Sequence, residues 1–385
     1  MTRHYYFPRP YPNELVGSLL LRASLHHGVS INQLARRLSQ NIRTRLPLLA
    51  MSGLREISLA SDIDALQLLW DHTPFPYVTA YMSSADTQRM AQAILGHNSD
   101  DIRPFKASTW LDPLAPRYCV QCVIEDQQHF GETYWHREHN LPFVVVCPHH
   151  NLPLHVIYLS DRRIARRQGI TKHPPKQDIG QSMNTHAANI LAPAIAEISH
   201  KALVRRFRAH PREWLQQHRR KALHIGLIIE GSRISLHLFA ELLREALGAD
   251  FLRMGKLDFE PSTRAWPAAL VRDANDASFS PSKHIMLKAF MEAVNNGAVQ
   301  QPYPLAKLSI AKPFPSLDDE LRERIFDAVR SVGISNSPMD IPTLLKQLGV
   351  WHLFLRHREK LPRTCLALKQ LQGNPMQQRQ WSLPF

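Results

Sequence analysis

The sequence predicts a mainly α-helical protein with several helix-turn-helix-like modules and one inserted, small zinc-ribbon-like β module. Apolar residues recur at helical spacing through most of the 385 residues, and glycine or proline separates one such stretch from the next. Three of the four cysteines fall within residues 117–154, where short β-type runs replace the helical pattern. We therefore expect helices on both sides of a compact metal-binding module.

Two pairs of metal-ligand residues define that module. Cys119 and Cys122 form a C-x-x-C pair, and Cys147 and His150 form a C-x-x-H pair. Each spacing places two ligands one tight turn apart, so two pairs can close a tetrahedron around Zn²⁺. Because four protein ligands leave no position for water, we interpret the zinc as structural. Residues 133–136 and 143–146 are predicted to be the short strands of the ribbon.

The fourth ligand is less constrained than the three cysteines. Spacing favours His150, but His149 and His155 are close to it in the sequence. Three more histidines lie between the two pairs: His129, His136 and His139. The alternative to a metal site is that the cysteines are simply small, buried apolar side chains.

The charge balance points to a polyanionic partner. Lys plus Arg number 47 against 33 Asp plus Glu, which gives a formal charge of +14 and a pI near 9.9. Nucleic acid is the commonest partner of so basic a protein, although a generally basic protein without such a partner is the alternative. Double-stranded DNA is the partner that we expect.

Compartment is predicted from the cysteines and from hydropathy. With three cysteines in one cluster only Cys365 is left, so we expect no disulfide framework. The first residues lack the apolar core of a signal peptide, and no apolar run reaches the ~18 residues of a membrane span. We expect a cytoplasmic, nucleoid-associated protein without membrane contact.

Composition shifts divide the chain into seven predicted segments. They are an N-terminal helical, helix-turn-helix-like domain (1–116), a zinc-binding module (117–158), a basic linker (159–185), a second helix-turn-helix-like helical domain (186–255), a packing segment (256–315), a C-terminal helix-turn-helix-like domain (316–373) and a tail (374–385).

Near the N-terminus, Asn13 is predicted to cap a helix with Glu14 in its first turn. Gly28 should end that helix and Ser30 should cap the next. Such pairs are usually packed helices, and a protein-binding role is as compatible with this one as DNA contact. A further apolar stripe predicts core packing: Leu59, Ile63, Leu66, Leu69 and Trp70.

Basic side chains concentrate in the two later two-helix units, where we expect contacts with phosphates or bases. In the first of these units the candidates are Arg205, Arg206, Arg208, Arg219, Arg220, Lys221 and Arg233. In the second they are His352, Arg356, Arg358, Lys360 and Arg363.

No catalytic constellation is evident in the sequence, so we expect no enzymatic activity. It contains no G-x-x-x-x-G-K-[ST] phosphate loop, no G-x-S-x-G elbow and no H-E-x-x-H helix. Asp62 and Asp64 could form a carboxylate pair, but they are interpreted as first-turn helix residues. A metal-dependent nuclease using such aspartates is the enzymatic alternative.

Several motifs together resemble the TnsD/TniQ family of transposon target selectors. They are FPRPYPNELVGSLLLRASLHHG (7–28), HTPFP (72–76), RYCVQC (117–122), FGETYWHREHNLP (130–142) and CPHHNLPL (147–154). His139 departs from the family pattern, which has an aromatic residue there, often tryptophan. Matching motif to motif, the resemblance implies Cys119, Cys122, Cys147 and His150 as zinc ligands.

The resemblance implies a non-catalytic protein that chooses the insertion site of a Tn7-like transposon. Such proteins bind attachment-site DNA and recruit a AAA+ ATPase regulator (TnsC-like) and the transposase. The alternative within the family is a TniQ-type adaptor, expected as a homodimer, on a CRISPR Cascade complex with guide RNA. The basic C-terminal half favours the first role, whereas the short chain favours the second.

Overall fold

The structure is a computed structural model that describes residues 6–38, 53–96, 116–157, 173–175, 181–182, 189–204, 210–229, 232–272, 279–300, 314–332 and 341–372. These residues are mainly helical, which confirms the mainly α part of the predicted fold class. The predicted basic linker lies outside them apart from 173–175 and 181–182, and the predicted tail lies outside them entirely.

In the first half of the chain the helices are α1 (Val16–His26), α2 (Ile31–Leu38), α3 (Leu54–Ser61), α4 (Ala65–Asp71), α5 (Phe75–Thr79), α6 (Ser84–Leu95), α7 (Val120–Phe130) and α8 (Ala192–Val204). A 3-10 turn covers Glu138–Asn140. In the second half they are α9 (Pro211–His224), α10 (Arg233–Leu247), α11 (Ala249–Met254), α12 (Trp266–Val271), α13 (Pro281–Asn295), α14 (Phe314–Val332), α15 (Ile341–Gln347), α16 (Trp351–His357) and α17 (Pro362–Gln372). None of the described helices combines the length and apolarity that crossing a bilayer requires.

The chain divides into two compact units. One comprises residues 1–217, 244–258 and 274–290, and the other comprises 218–243, 259–273 and 291–385. In the first, α1 to α6 enclose a core that includes Leu19, Leu20 and Phe75. In the second, α14 to α17 enclose a separate core around Leu321, Ile325 and Leu345, each buried at the apolar face of its helix.

The β structure differs from the predicted ribbon. The strands are β1 (Arg117–Tyr118), β2 (His155–Val156) and β3 (Gln181–Ser182), which form an antiparallel sheet in the order β1-β2-β3. The predicted strands at 133–136 and 143–146 do not form, and each segment contributes only one isolated bridge, at His136 and at Val146. Both segments are instead buried irregular chain.

The first helix begins later than predicted. Asn13 has a φ of 55°, which is left-handed, and Glu14 forms a bridge with His136, so α1 starts only at Val16. Arg137 explains the difference, because its backbone N–H donates to the Asn13 carbonyl (2.9 Å) and its Nε donates to Asn13 Oδ1 (3.0 Å). The Asn13 side chain therefore accepts a hydrogen bond from Arg137 and does not cap a helix.

The turn after α1 forms as predicted. Gly28 has a φ of 61°, a backbone conformation that glycine adopts without strain. Ser30 Oγ accepts a hydrogen bond from the Gln33 backbone N–H (3.2 Å), and the Ser30 N–H donates to Gln33 Oε1 (2.9 Å). This reciprocal cap fixes the start of α2.

The predicted stripe between residues 59 and 70 does not belong to one helix. Asp62 has a φ of 57° and ends α3, and Asp64 caps α4 by accepting from the Gln67 backbone N–H (3.0 Å). Because α3 and α4 are separate helices, the five apolar residues do not share one buried face, and Leu59 and Leu66 are exposed. The two aspartates are thus a C-cap and an N-cap and not the first-turn residues that were predicted.

Two arginines tie the N-terminal helices to the region around the cysteines. Arg137 Nη1 donates to the carbonyl of Trp70 (2.6 Å). Arg22, on α1, contacts Glu14 Oε2 (2.6 Å) and Glu132 Oε1 (2.9 Å) and stacks on the ring of Tyr11. Because Arg22 and Glu14 are both buried, loss of Arg22 leaves the Glu14 carboxyl in the interior without its cationic partner.

Replacing Arg22 should therefore destabilise the first unit strongly. We expect Arg22→Met to lower the free energy of unfolding by about 3–5 kcal/mol, measured by urea denaturation. The matched control is Arg89→Met on α6, whose exposed side chain pairs with Asp86 and whose loss should cost less than about 1 kcal/mol. Adding Glu14→Gln to Arg22→Met should recover part of the loss. Equal effects of the two single arginine variants would contradict this account.

Candidate metal centre

The four predicted ligands are brought together by two local structures. Cys119 directly follows β1 and occupies the N-cap position of α7, and Cys122 lies in the first turn of that helix. Cys147 and His150 lie on a tight turn that is closed by Asn151 N–H donating to the Cys147 carbonyl (2.9 Å). The first pair thus sits at the start of a helix.

The distances between the ligand atoms fit one tetrahedral ion. The Cys122 and Cys147 sulfurs are 3.7 Å apart, and His150 Nδ1 lies 3.7, 3.3 and 3.6 Å from the sulfurs of Cys119, Cys122 and Cys147. All four ligand atoms lie within 4.8 Å of one another. A Zn–S bond of ~2.3 Å places two sulfurs of a tetrahedron about 3.8 Å apart. This buried Cys₃His cluster can therefore bind a metal ion.

The surroundings of His150 orient its ring. His150 Nε2 donates to Glu125 Oε1 at 2.9 Å, which selects the tautomer whose Nδ1 lone pair faces the sulfurs. Hydrogen bonds from Gln121 and then from His150 lower the pKa of Glu125, so this carboxylate stays ionised and available to the ring.

The three cysteine side chains lie close enough to shift one another's pKa values. Hydrogen bonds from Cys122 and Cys147 lower the pKa of the Cys119 thiol, whereas hydrogen bonds with Cys119 and Cys147, together with burial, raise the pKa of Cys122. One thiolate can thus be held by two thiols, but three adjacent thiolates require positive charge between them. Thiolate sulfur favours Zn²⁺ over Mg²⁺ or Ca²⁺.

The other candidate histidines take different positions. His149 contacts Glu138, His136 contacts Asp126, and His129 contacts the Glu125 carbonyl. His155 lies on β2. The geometry therefore favours His150 as the fourth ligand.

His139 is a member of the site that the spacing did not single out. Its Nε2 lies 3.4 Å from the Cys147 sulfur and 3.7 Å from the Cys122 sulfur. Complete burial lowers the pKa of His139 to about 3, so the ring is neutral and can donate its Nε2–H to the thiolates. Its Nδ1 has no hydrogen-bond partner among the described residues. His139 thus places a polar group beside the ligands, at the position where the resemblance implied an aromatic residue.

The predicted nucleic-acid residues are only partly described. Arg205, Arg206 and Arg208 lie outside the described residues, as do the side chains of His352 and Arg356. Arg219 and Lys221, on α9, are half-buried and donate to the Val271 carbonyl (3.3 Å) and to Asn295 Oδ1 (3.5 Å).

The remaining candidates reach the surface. Arg220 on α9 and Arg233 at the start of α10 are exposed. Arg358 and Lys360 are exposed on a 3-10 turn that precedes α17, and Lys360 lies over the ring of Phe314. Arg363 is also exposed but pairs with Asp319 on α14. Surface positions thus remain for Arg220, Arg233, Arg358 and Lys360.

Comparison with known proteins gives two matches. The family model described as TniQ matches residues 5–154, which include α1 to α7 and all four candidate ligands. The transposon Tn7 transposition protein TnsD of Escherichia coli is 25% identical over 330 residues, which cover 79% of this chain. The chain spans 61% of the length of that relative. Together, the two matches show a TniQ domain at residues 5–154 and support the assignment of this chain to the TnsD/TniQ family.

Proposed function

We propose that this chain is a non-catalytic target-site selector for a Tn7-like transposon. In this proposal it binds attachment-site double-stranded DNA and recruits a AAA+ ATPase regulator (TnsC-like) and the transposase. The observation that carries the proposal is the TniQ match, which ends at residue 154 and so contains the whole Cys₃His cluster. The similarity to a Tn7 transposition protein over 79% of the chain supports the same role.

In this proposal the metal is a structural Zn²⁺ held by Cys119, Cys122, Cys147 and His150. Residues beside the ligands support this role, because Tyr118 and Val123 pack with Leu15 and Leu21 in one buried cluster. Fixing β1 and the start of α7 to the turn at 147–150 would therefore also fix the surface on which α1 packs. The four-ligand set leaves no position for a reacting water.

DNA contact is proposed for the two later two-helix units, as helix-turn-helix-like modules. α9 and α10 are separated by a turn at Gly226, whose φ is 72°, and α15 and α16 by a turn at Gly349, whose φ is 67°. Exposed basic residues accompany both units, and the chain as a whole carries a formal charge of +14. Phosphate contacts by such residues give affinity that falls steeply with salt.

The nuclease alternative receives no support from the two aspartates. Asp62 ends α3 and the Asp64 carboxylate caps α4. Neither belongs to a group of possible metal ligands within the described parts of the chain. We therefore propose no catalytic role for them.

Zinc removal should unfold the metal-binding region. We expect Cys147→Ser to lose the ion and to melt the contacts of residues 117–157, because structural zinc contributes on the order of 10 kcal/mol to folding. Metal content and thermal unfolding are the measurements. Cys365→Ser is the matched control, because that cysteine lies on α17 outside the cluster. Unchanged metal content and melting temperature in Cys147→Ser would refute the assignment.

DNA affinity should depend on the exposed basic turn. The double variant Arg358→Glu/Lys360→Glu is expected to weaken binding of attachment-site DNA by at least about tenfold and to reduce the slope of log affinity against log salt by about 1.8. Fluorescence anisotropy over a salt series measures both. Arg89→Glu/Arg253→Glu carries the same charge change on exposed residues of α6 and α11 and should bind like the parent protein.

The same titration separates DNA recognition from the adaptor role on a CRISPR Cascade complex with guide RNA. A selector should bind attachment-site DNA at least about tenfold more tightly than shuffled DNA. Equal affinity for both, together with co-purification of a homodimer on a guide-RNA complex, would replace the proposed function with the adaptor role.

A further inference from the structure

A second group of metal-ligating side chains lies next to the Cys₃His cluster without sharing a residue with it. Glu138 comes from the 3-10 turn, His149 from the turn that carries Cys147, and His200 from α8. Their carboxylate oxygen and ring nitrogens lie within 4.8 Å of one another. We propose that this triad is a second metal site, which takes a divalent transition-metal ion such as Zn²⁺ through two imidazoles and one carboxylate.

The two rings converge on one carboxylate from different parts of the chain. His149 Nε2 is 2.6 Å from Glu138 Oε1, and His200 Nδ1 is 2.7 Å from Glu138 Oε2. The ring centroids are 5.0 Å apart with an interplanar angle of 76°. A tetrahedral ion with bonds of ~2.1 Å separates its ligand atoms by about 3.4 Å, so each ring must withdraw by roughly 0.7 Å. This is a small side-chain rotation.

The exposure of the three residues permits that movement. The Glu138 side chain is 1% exposed, whereas those of His200 and His149 are 24% and 45% exposed. The carboxylate is therefore the fixed ligand, and the imidazoles are the ligands that adjust. The exposed side of His149 also opens the fourth coordination position to solvent, where water completes the tetrahedron.

Charge favours a cation at this position. Burial opposes ionisation of Glu138, but hydrogen bonds from His136, His149 and His200 outweigh it and hold the pKa of this carboxyl well below its usual value. Glu138 is thus a buried anion that contacts both imidazoles of the triad. A divalent ion between the carboxylate and the two rings would pair with that anion.

Two further polar side chains, His136 and Asp126, help to hold the Glu138 carboxylate in place. His136 Nδ1 lies 3.8 Å from Glu138 Oε1, and its Nε2 is 2.9 Å from Asp126 Oδ2 on α7. Such carboxylate–imidazole partners orient the ligands of metal sites. Two nitrogens and one oxygen suit Zn²⁺, Ni²⁺ or Co²⁺ better than Mg²⁺ or Ca²⁺.

A bound ion would link α8, through His200, to Glu138 and His149 beside the Cys₃His cluster. α8 packs against the 3-10 turn and against α5, all within the same compact unit. A bound ion would add bonds at that junction, whereas the Cys₃His ion joins only segments within residues 119–150. The second ion therefore extends the metal-dependent structure to residues 192–204.

The experiment is a Co²⁺ titration of the metal-free full chain. We expect two ions per chain. The tighter one should give the intense near-ultraviolet thiolate-to-cobalt band of the Cys₃His cluster, and the weaker one should add no thiolate band. His200→Ala and His149→Ala should each weaken the second ion at least tenfold and leave the thiolate band unchanged. His129→Ala, which removes an exposed histidine of α7, should bind both ions like the parent chain.

Two results would overturn the proposal. One is a single ion per chain in the parent protein. The other is unchanged binding of the second ion in both His149→Ala and His200→Ala, which would place that ion elsewhere. Circular dichroism of each variant establishes that it is folded, and His149→Ala, at an exposed position, serves if His200→Ala does not fold.

Discussion

The structure around residues 117–154 depends on keeping three sulfurs and one imidazole nitrogen within 4.8 Å of one another. Three thiolates at that distance would repel one another, so the arrangement is suited to hold a cation at its centre. The neighbouring elements hold the four side chains in place. Cys119 lies between β1 and α7, and Cys147 and His150 lie on the turn at 147–150. Leu15, Leu21 and Trp135 belong to one buried cluster, through which these elements pack against α1.

The four candidate metal ligands were predictable because they occur as two pairs with short spacings in the sequence. A C-x-x-C pair and a C-x-x-H pair place their ligands together whatever backbone supports them. The supporting backbone was not predictable, because the segments at 133–136 and 143–146 satisfy their polar groups through other parts of the chain and not through a ribbon. Trp135 N–H, for example, donates to Ser18 Oγ, and Leu154 N–H donates to the Val145 carbonyl.

A long-range contact explains one of the other differences, and a local break between two helices explains another. Periodicity could not show that Asn13 is bound by Arg137, or that Leu59 and Leu66 face solvent after a break at Asp62. In the same way, net charge predicts a polyanionic partner but does not identify the residues that meet it. Arg219 and Lys221 contact other residues of their own unit, whereas Arg358 and Lys360 remain at the surface. His139 was one of three histidines between the two ligand pairs, and spacing alone did not distinguish it from His129 and His136.

Arg137 has a consequence for how this region can change during evolution. It donates to Asn13, Trp70 and Thr73, so the chain before α1, the end of α4 and the 3-10 turn meet at one guanidinium. Recombination that exchanged the N-terminal helices for those of a distant homologue would need a matching set of acceptors. The helices and the cysteine-bearing segment should therefore be inherited as one block, and gene fusions should join at its edges.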